Sequence, residues 1–72
     1  MKNLTLVNRE TGEIVDTWKQ ENIKSYCKPA VIEEMRKREN HESYYFMVEF
    51  KGLSYELGMW EVDKYDLIEE SA

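Results

Sequence analysis

SYYFMVEFKGLSYELGMWEV, residues 43–62, is the stretch on which the fold turns. It holds six of the nine aromatic residues, Tyr44, Tyr45, Phe46, Phe50, Tyr55 and Trp60, together with Val48, Leu57, Met59 and Val62. Two runs rich in aromatic and β-branched residues flank Lys51-Gly52-Leu53-Ser54, which is the pattern of a β-hairpin. In the first run Tyr44, Phe46, Val48 and Phe50 share a face by period two, and Tyr45, Met47 and Glu49 share the other. In the second run Tyr55 and Leu57 share a face with Met59, whereas Trp60 and Val62 point the opposite way. A glycine inside a strand often marks a bulge, and one at Gly58 would bring Leu57 and Trp60 to the same side. With that bulge, Glu56, Met59 and Glu61 join the outer face. The hairpin is then expected to supply most of the core.

Seventy-two residues, read as a single domain over 1–72, lie near the lower limit at which a core holds a fold unaided. With Cys27 the only cysteine, no internal disulfide can form, and with His41 the only histidine the usual zinc staple has too few ligands. No apolar run reaches the roughly 20 residues of a membrane span, and the N-terminus lacks a signal-peptide core. A soluble, cytoplasmic protein without a cofactor is expected.

The net charge of −5 is unevenly distributed. Residues 1–43 carry eight Lys/Arg and eight Asp/Glu; from Tyr44 onward Lys51 and Lys64 face seven acids, which gives 2 − 7 = −5. Such a surface repels phosphate and suits a basic protein partner rather than nucleic acid.

Leu4–Val7 and Ile14–Trp18 are β-prone runs about a polar turn ending near Gly12, so a hairpin is expected at 3–8 with 13–18. Ile23, Tyr26 and Cys27 recur at helical spacing, which predicts a helical turn over 20–27. Pro29 suits the first turn of a helix over 29–40, with Glu33–Lys37 and Glu34–Arg38 as i, i+4 pairs. In residues 63–72, Leu67 and Ile68 cap the core without a long helix. The order is β-β-α-β-β, an α+β domain with one helix packed on an antiparallel sheet.

The residues offer little chemistry. His41 lies among polar neighbours that form no catalytic arrangement, and Cys27 reads as a small apolar residue. Asp63 and Asp66 lack the spacing of a calcium loop. Arg36-Lys37-Arg38 is interleaved with glutamates and reads as a solvated helix face. No enzymatic activity is expected. The remaining signal is an outer patch of Tyr45, Met47, Glu49, Glu56, Met59 and Glu61, continued by Asp63 and Asp66, since aromatic residues and methionine are enriched in interface cores. The competing reading buries this face beneath the helix or the N-terminal hairpin.

Phe46–Glu56 followed by Trp60-Glu61 resembles a chromodomain strand pair, with Ile32–Arg38 as a preceding strand. The resemblance implies an SH3-like module that reads peptides or histone tails. The chain departs from that family at Glu49, where a basic residue is usual, at Phe50 in place of tryptophan, at Met59 in place of Ser/Thr, and at Leu53 in place of a cage aromatic. In size and acidity it also resembles small accessory proteins of bacterial viruses and mobile elements. That likeness implies a protein that binds and blocks or redirects a nucleic-acid-acting host protein, with carboxylates standing where DNA phosphates would lie. A structural or assembly subunit, including a homodimer, is the third class of reading.

Overall fold

The computed structural model describes residues 2–71. The N-terminal hairpin forms as its turn chemistry requires. β1 (Lys2–Asn8) and β2 (Ile14–Trp18) pair antiparallel, Leu4 opposite Trp18 and Thr5 opposite Thr17. Asn8 closes the loop: its Oδ1 accepts from the N–H groups of Glu10 and Thr11, and its carbonyl accepts from Gly12 N–H at 2.8 Å. Gly12 takes φ +77°, a left-handed conformation that glycine enters without steric cost.

The expected helical turn over 20–27 is replaced. Gln20–Asn22 makes a single 3₁₀ turn, and β3 (Ile23–Tyr26) is a strand. Tyr26 lies opposite Val48, Ser25 lies opposite Glu49, and Cys27 N–H donates to the Met47 carbonyl at 3.0 Å. An isolated turn of helix is marginal in water, whereas this pairing gives Ile23, Ser25 and Tyr26 partners on an adjoining strand. The register of this pair shifts between Ile23 and Ser25, and that of β1 with β2 between Leu6 and Val7.

α1 (Pro29–Arg36) begins on proline as expected but stops four residues short of Asn40. Arg36 explains the stop. Its guanidinium turns inward, only 9% exposed, and donates to the carbonyls of Val62 (2.7 Å) and Tyr65 (2.8 Å) and to Asp66. The chain then tightens through i, i+3 bonds from Lys37 and Arg38, and Asn40 takes φ 61°. The helix ion pairs are accordingly Glu33–Arg36 and Glu34–Lys37, not the i, i+4 pairs of the sequence reading.

β4 (Tyr45–Lys51) and β5 (Tyr55–Glu61) form the central hairpin, and the tail is a sixth strand, β6 (Tyr65–Ser71). β6 runs antiparallel to β1 over its whole length, from Asn8–Tyr65 to Lys2–Ser71, with Leu6 opposite Leu67. The observed order is thus β-β-β-α-β-β-β, still a small α+β architecture, in two antiparallel sheets ordered β2-β1-β6 and β3-β4-β5.

One core joins the sheets. Leu4, Leu6, Trp18 and Leu67 come from the first sheet, Phe46 and Val48 from the second, and Ile32 and Val62 from α1 and the turn after β5. The central hairpin therefore shares the core with the other elements. Across the join, the rings of Trp18 and Trp60 are 5.5 Å apart and those of Trp18 and Phe50 5.2 Å, while within the second sheet Phe46 and Trp60 are 6.0 Å apart. Tilted aromatic pairs at such separations add about 0.5–1.5 kcal/mol each beyond their burial.

The β4–β5 ladder is regular from Tyr45–Glu61 to Lys51–Tyr55, with no bulge at Gly58. Gly58 is needed for another reason. A Cβ there would stand 2.2 Å from Cη2 of Trp60, so the indole lies directly over the glycine backbone. Gly58→Ala should therefore cost about 1–3 kcal/mol through overpacking, although alanine suits a strand at least as well as glycine. In a Trp60→Ala background the same change should be close to neutral, a coupling that a double-mutant cycle in urea measures directly. Additive effects would place the indole elsewhere.

Candidate functional site

Strand parity builds the site. With Phe46, Val48 and Trp60 turned to the core, the odd-numbered residues face outward: Tyr45, Met47, Glu49 and Lys51 on β4, and Tyr55, Leu57, Met59 and Glu61 on β5. Met47 lies opposite Met59, and Leu57 opposite Glu49. Neither the helix nor the N-terminal hairpin covers this face: Tyr45, Met47, Tyr55, Leu57 and Met59 are each between 43% and 61% exposed. The reading in which the face is buried is thereby corrected.

α1 supplies one rim. Val31 and Met35 stand beside Cys27, Tyr45 and Met47 around an open groove of about 390 Å³. Met35 also lines a shallow cavity with Tyr45 and Met59. All three methionines of the described residues thus border one surface. The thioether side chain is flexible and polarizable, which lets such a surface adapt to the shape laid against it. Burial raises the Cys27 thiol pKa above its ordinary value, which suits a wall of the groove better than a reactive nucleophile.

Charges mark the edges of the patch. Glu49 meets Lys24 Nζ at 3.4 Å and accepts from the Ser25 hydroxyl at 3.1 Å, and the same Lys24 lies 5.1 Å from the Tyr55 ring centroid. Glu61 meets Lys64 at 3.5 Å. Glu56 is exposed but lies opposite Phe50, on the other side of the strand, because without the bulge parity turns it away. Asp63 pairs with His41 Nδ1 at 2.8 Å, and Asp66 with Arg36 at 3.2 Å. Asp66 joins β6 to α1, and Asp63 joins the turn after β5 to the residues that lead into β4.

Of the residues expected at the site, Tyr45, Met47 and Met59 therefore form its middle, Glu49 and Glu61 its rim, and Glu56, Asp63 and Asp66 lie outside it. Tyr55, Leu57, Val31 and Met35 belong to it and were missed. Plain alternation along β5 already grouped Tyr55 and Leu57 with Met59; invoking a bulge separated them. The helix residues carried no such signal.

A cavity of about 670 Å³ opens between β3 and β6 beside Lys2, Lys24, Lys28, Tyr26 and Glu69. Its charge is largely compensated internally, since Glu69 takes the Lys2 ammonium at 3.8 Å and the Tyr26 hydroxyl at 2.5 Å, and Lys24 is turned to Glu49.

No protein-family model, curated protein or solved structure matches this chain. The structure also departs from the chromodomain resemblance where it is most telling. Ile32–Arg36 is helical rather than a strand, and Trp60 packs on Trp18 and Phe46 instead of standing in an open cage.

The Tyr26–Glu69 bond ties one sheet to the other and carries a pH dependence. That hydrogen bond first, then burial and the charge of Glu69, raise the phenol pKa above its ordinary 10.0. The raised group stabilises the fold fully below the unfolded pKa, and the contribution is lost as pH rises through the folded one. Stability measured by urea melts should therefore fall as pH is taken above 10, and Tyr26→Phe should flatten that part of the profile. An identical alkaline profile in both proteins would show that the bond is not formed.

Proposed function

We propose that this chain is a non-catalytic binding protein that docks another protein against the outer face of β4 and β5. The observation that carries the reading is the exposed group of Tyr45, Met47, Tyr55, Leu57 and Met59, continued by Val31 and Met35 across the groove and edged by charge. Contiguous apolar surface with a polar rim is typical of interaction sites and is costly to leave in water. Tyrosine and methionine supply contact area there, and Glu49, Glu61 and Lys24 supply register.

The acids act at longer range. A net charge of −5 favours encounter with a basic partner and speeds association more than it strengthens the complex. A host protein that works on nucleic acid offers such a basic surface, and an accessory role that blocks or redirects it fits these features. A close imitation of DNA draws less support, because four of the seven C-terminal acids already sit within 4 Å of a lysine or arginine of the same chain: Glu49, Glu61, Asp66 and Glu69.

Met47→Asp places a charge in the centre of the face without touching the core. Affinity capture from the native cell should recover a partner with the wild-type chain and at least about tenfold less with Met47→Asp, a loss of about 1.4 kcal/mol. Ile68→Asp, on the exposed side of the other sheet, should capture as the wild type does. Equal recovery by all three proteins would count against the face.

A further inference from the structure

β5 has one strand neighbour, β4, and no strand pairs with its second edge among the described residues. The phase of the ladder shows which groups that edge presents. Val62 N–H donates to the Tyr44 carbonyl, and Cys27 N–H donates to the Met47 carbonyl. Even-numbered residues of β4 thus bond toward β5 and odd-numbered ones toward β3. On β5, Gly58 and its even-numbered neighbours bond back to β4, while Tyr55, Leu57, Met59 and Glu61 turn their N–H and C=O groups outward. The strand carries none of the usual guards of a free edge. It has no proline, no lysine and no bulge, and its two charges, Glu56 and Glu61, lie near its ends.

We propose that this edge pairs antiparallel with β5 of a second copy, about a two-fold axis at Gly58, joining two three-stranded sheets into one of six strands. The sequence is self-complementary in that register. Leu57 stands opposite the partner's Met59, and Met59 opposite the partner's Leu57, so four apolar side chains meet at the centre of the outer face. Glu61 stands opposite the partner's Tyr55, whose hydroxyl can donate to the carboxylate, and one strand further lies the partner's Lys51. Glu56 stands opposite the partner's Trp60, so no acid faces an acid. Shifting the register by one bonded pair in one sense sets Glu61 against the partner's apolar Leu57; the opposite shift sets it against the partner's Leu53. The like net charge of the two copies keeps the association weak and dependent on concentration. The edge shares Tyr55, Leu57 and Met59 with the docking face, but Met47 lies on the middle strand, clear of the edge, so a substitution there separates dimerisation from partner docking.

Sedimentation velocity over about a hundredfold range of concentration tests it. The wild-type chain should shift from monomer to dimer. Leu57→Pro removes an outward N–H without touching the β4 ladder and should raise the dimer dissociation constant at least about tenfold. Leu57→Lys provides a second disruption at an exposed position, and adding Met59→Glu to it should restore the dimer by setting lysine opposite glutamate. Met47→Asp should dimerise as the wild type does. A wild-type chain that is monomeric throughout, or a dimer indifferent to Leu57→Pro and Leu57→Lys, would overturn the proposal. So would a dimer broken by Met47→Asp.

Discussion

The indole of Trp60, laid over Gly58 and against Trp18, is the contact on which the rest of the molecule depends. It joins two small sheets, neither of which could bury enough apolar surface alone. It also sets the parity of β5. Once Trp60 is turned inward, a regular strand must turn Met59, Leu57 and Tyr55 outward, because the period of a strand admits no other arrangement. The same side chain that closes the core therefore creates the exposed face, and fold and candidate site share one cause.

Charge follows a second logic. Along the chain the two halves look unlike, neutral before Tyr44 and strongly acidic after it. Folding mixes them. Lys2, Lys24, Arg36 and His41 of the first half meet Glu69, Glu49, Asp66 and Asp63 of the second. Most of these pairs are too exposed to add much stability, but the guanidinium of Arg36 is itself largely withdrawn from solvent. There a planar fork bridges two backbone carbonyls and a carboxylate, fastening α1 to the turn after β5 and to the start of β6. A lopsided sequence thus becomes a surface of mixed sign, with an apolar face as its most distinctive feature.

Local patterns in the sequence were good guides wherever the structure is local. The Asn8–Gly12 turn, the central hairpin, Pro29 at the head of a helix, and the inward set of Phe46 and Val48 could all be read from neighbours in the chain. The errors lie where distant pairing decides. Residues 23–26 have helical spacing but pair with β4, and β6 is recognisable only beside β1, its partner at the opposite end of the chain. Arg36 reads as part of a solvated basic cluster until the carbonyls it reaches are in place. At the site, Tyr45, Met47 and Met59 were legible from alternation alone, while Tyr55 and Leu57 were lost by taking Gly58 for a bulge. Val31 and Met35 join the face only through the placement of α1, which no sequence period encodes.

The most direct test of the binding face is photo-crosslinking in the native cell, with a photoreactive amino acid at position 47 and, separately, at position 68. Both side chains are exposed, but they lie on different sheets. The account predicts a discrete adduct with another protein from position 47 and none from position 68. An adduct from position 68, with none from position 47, would contradict it.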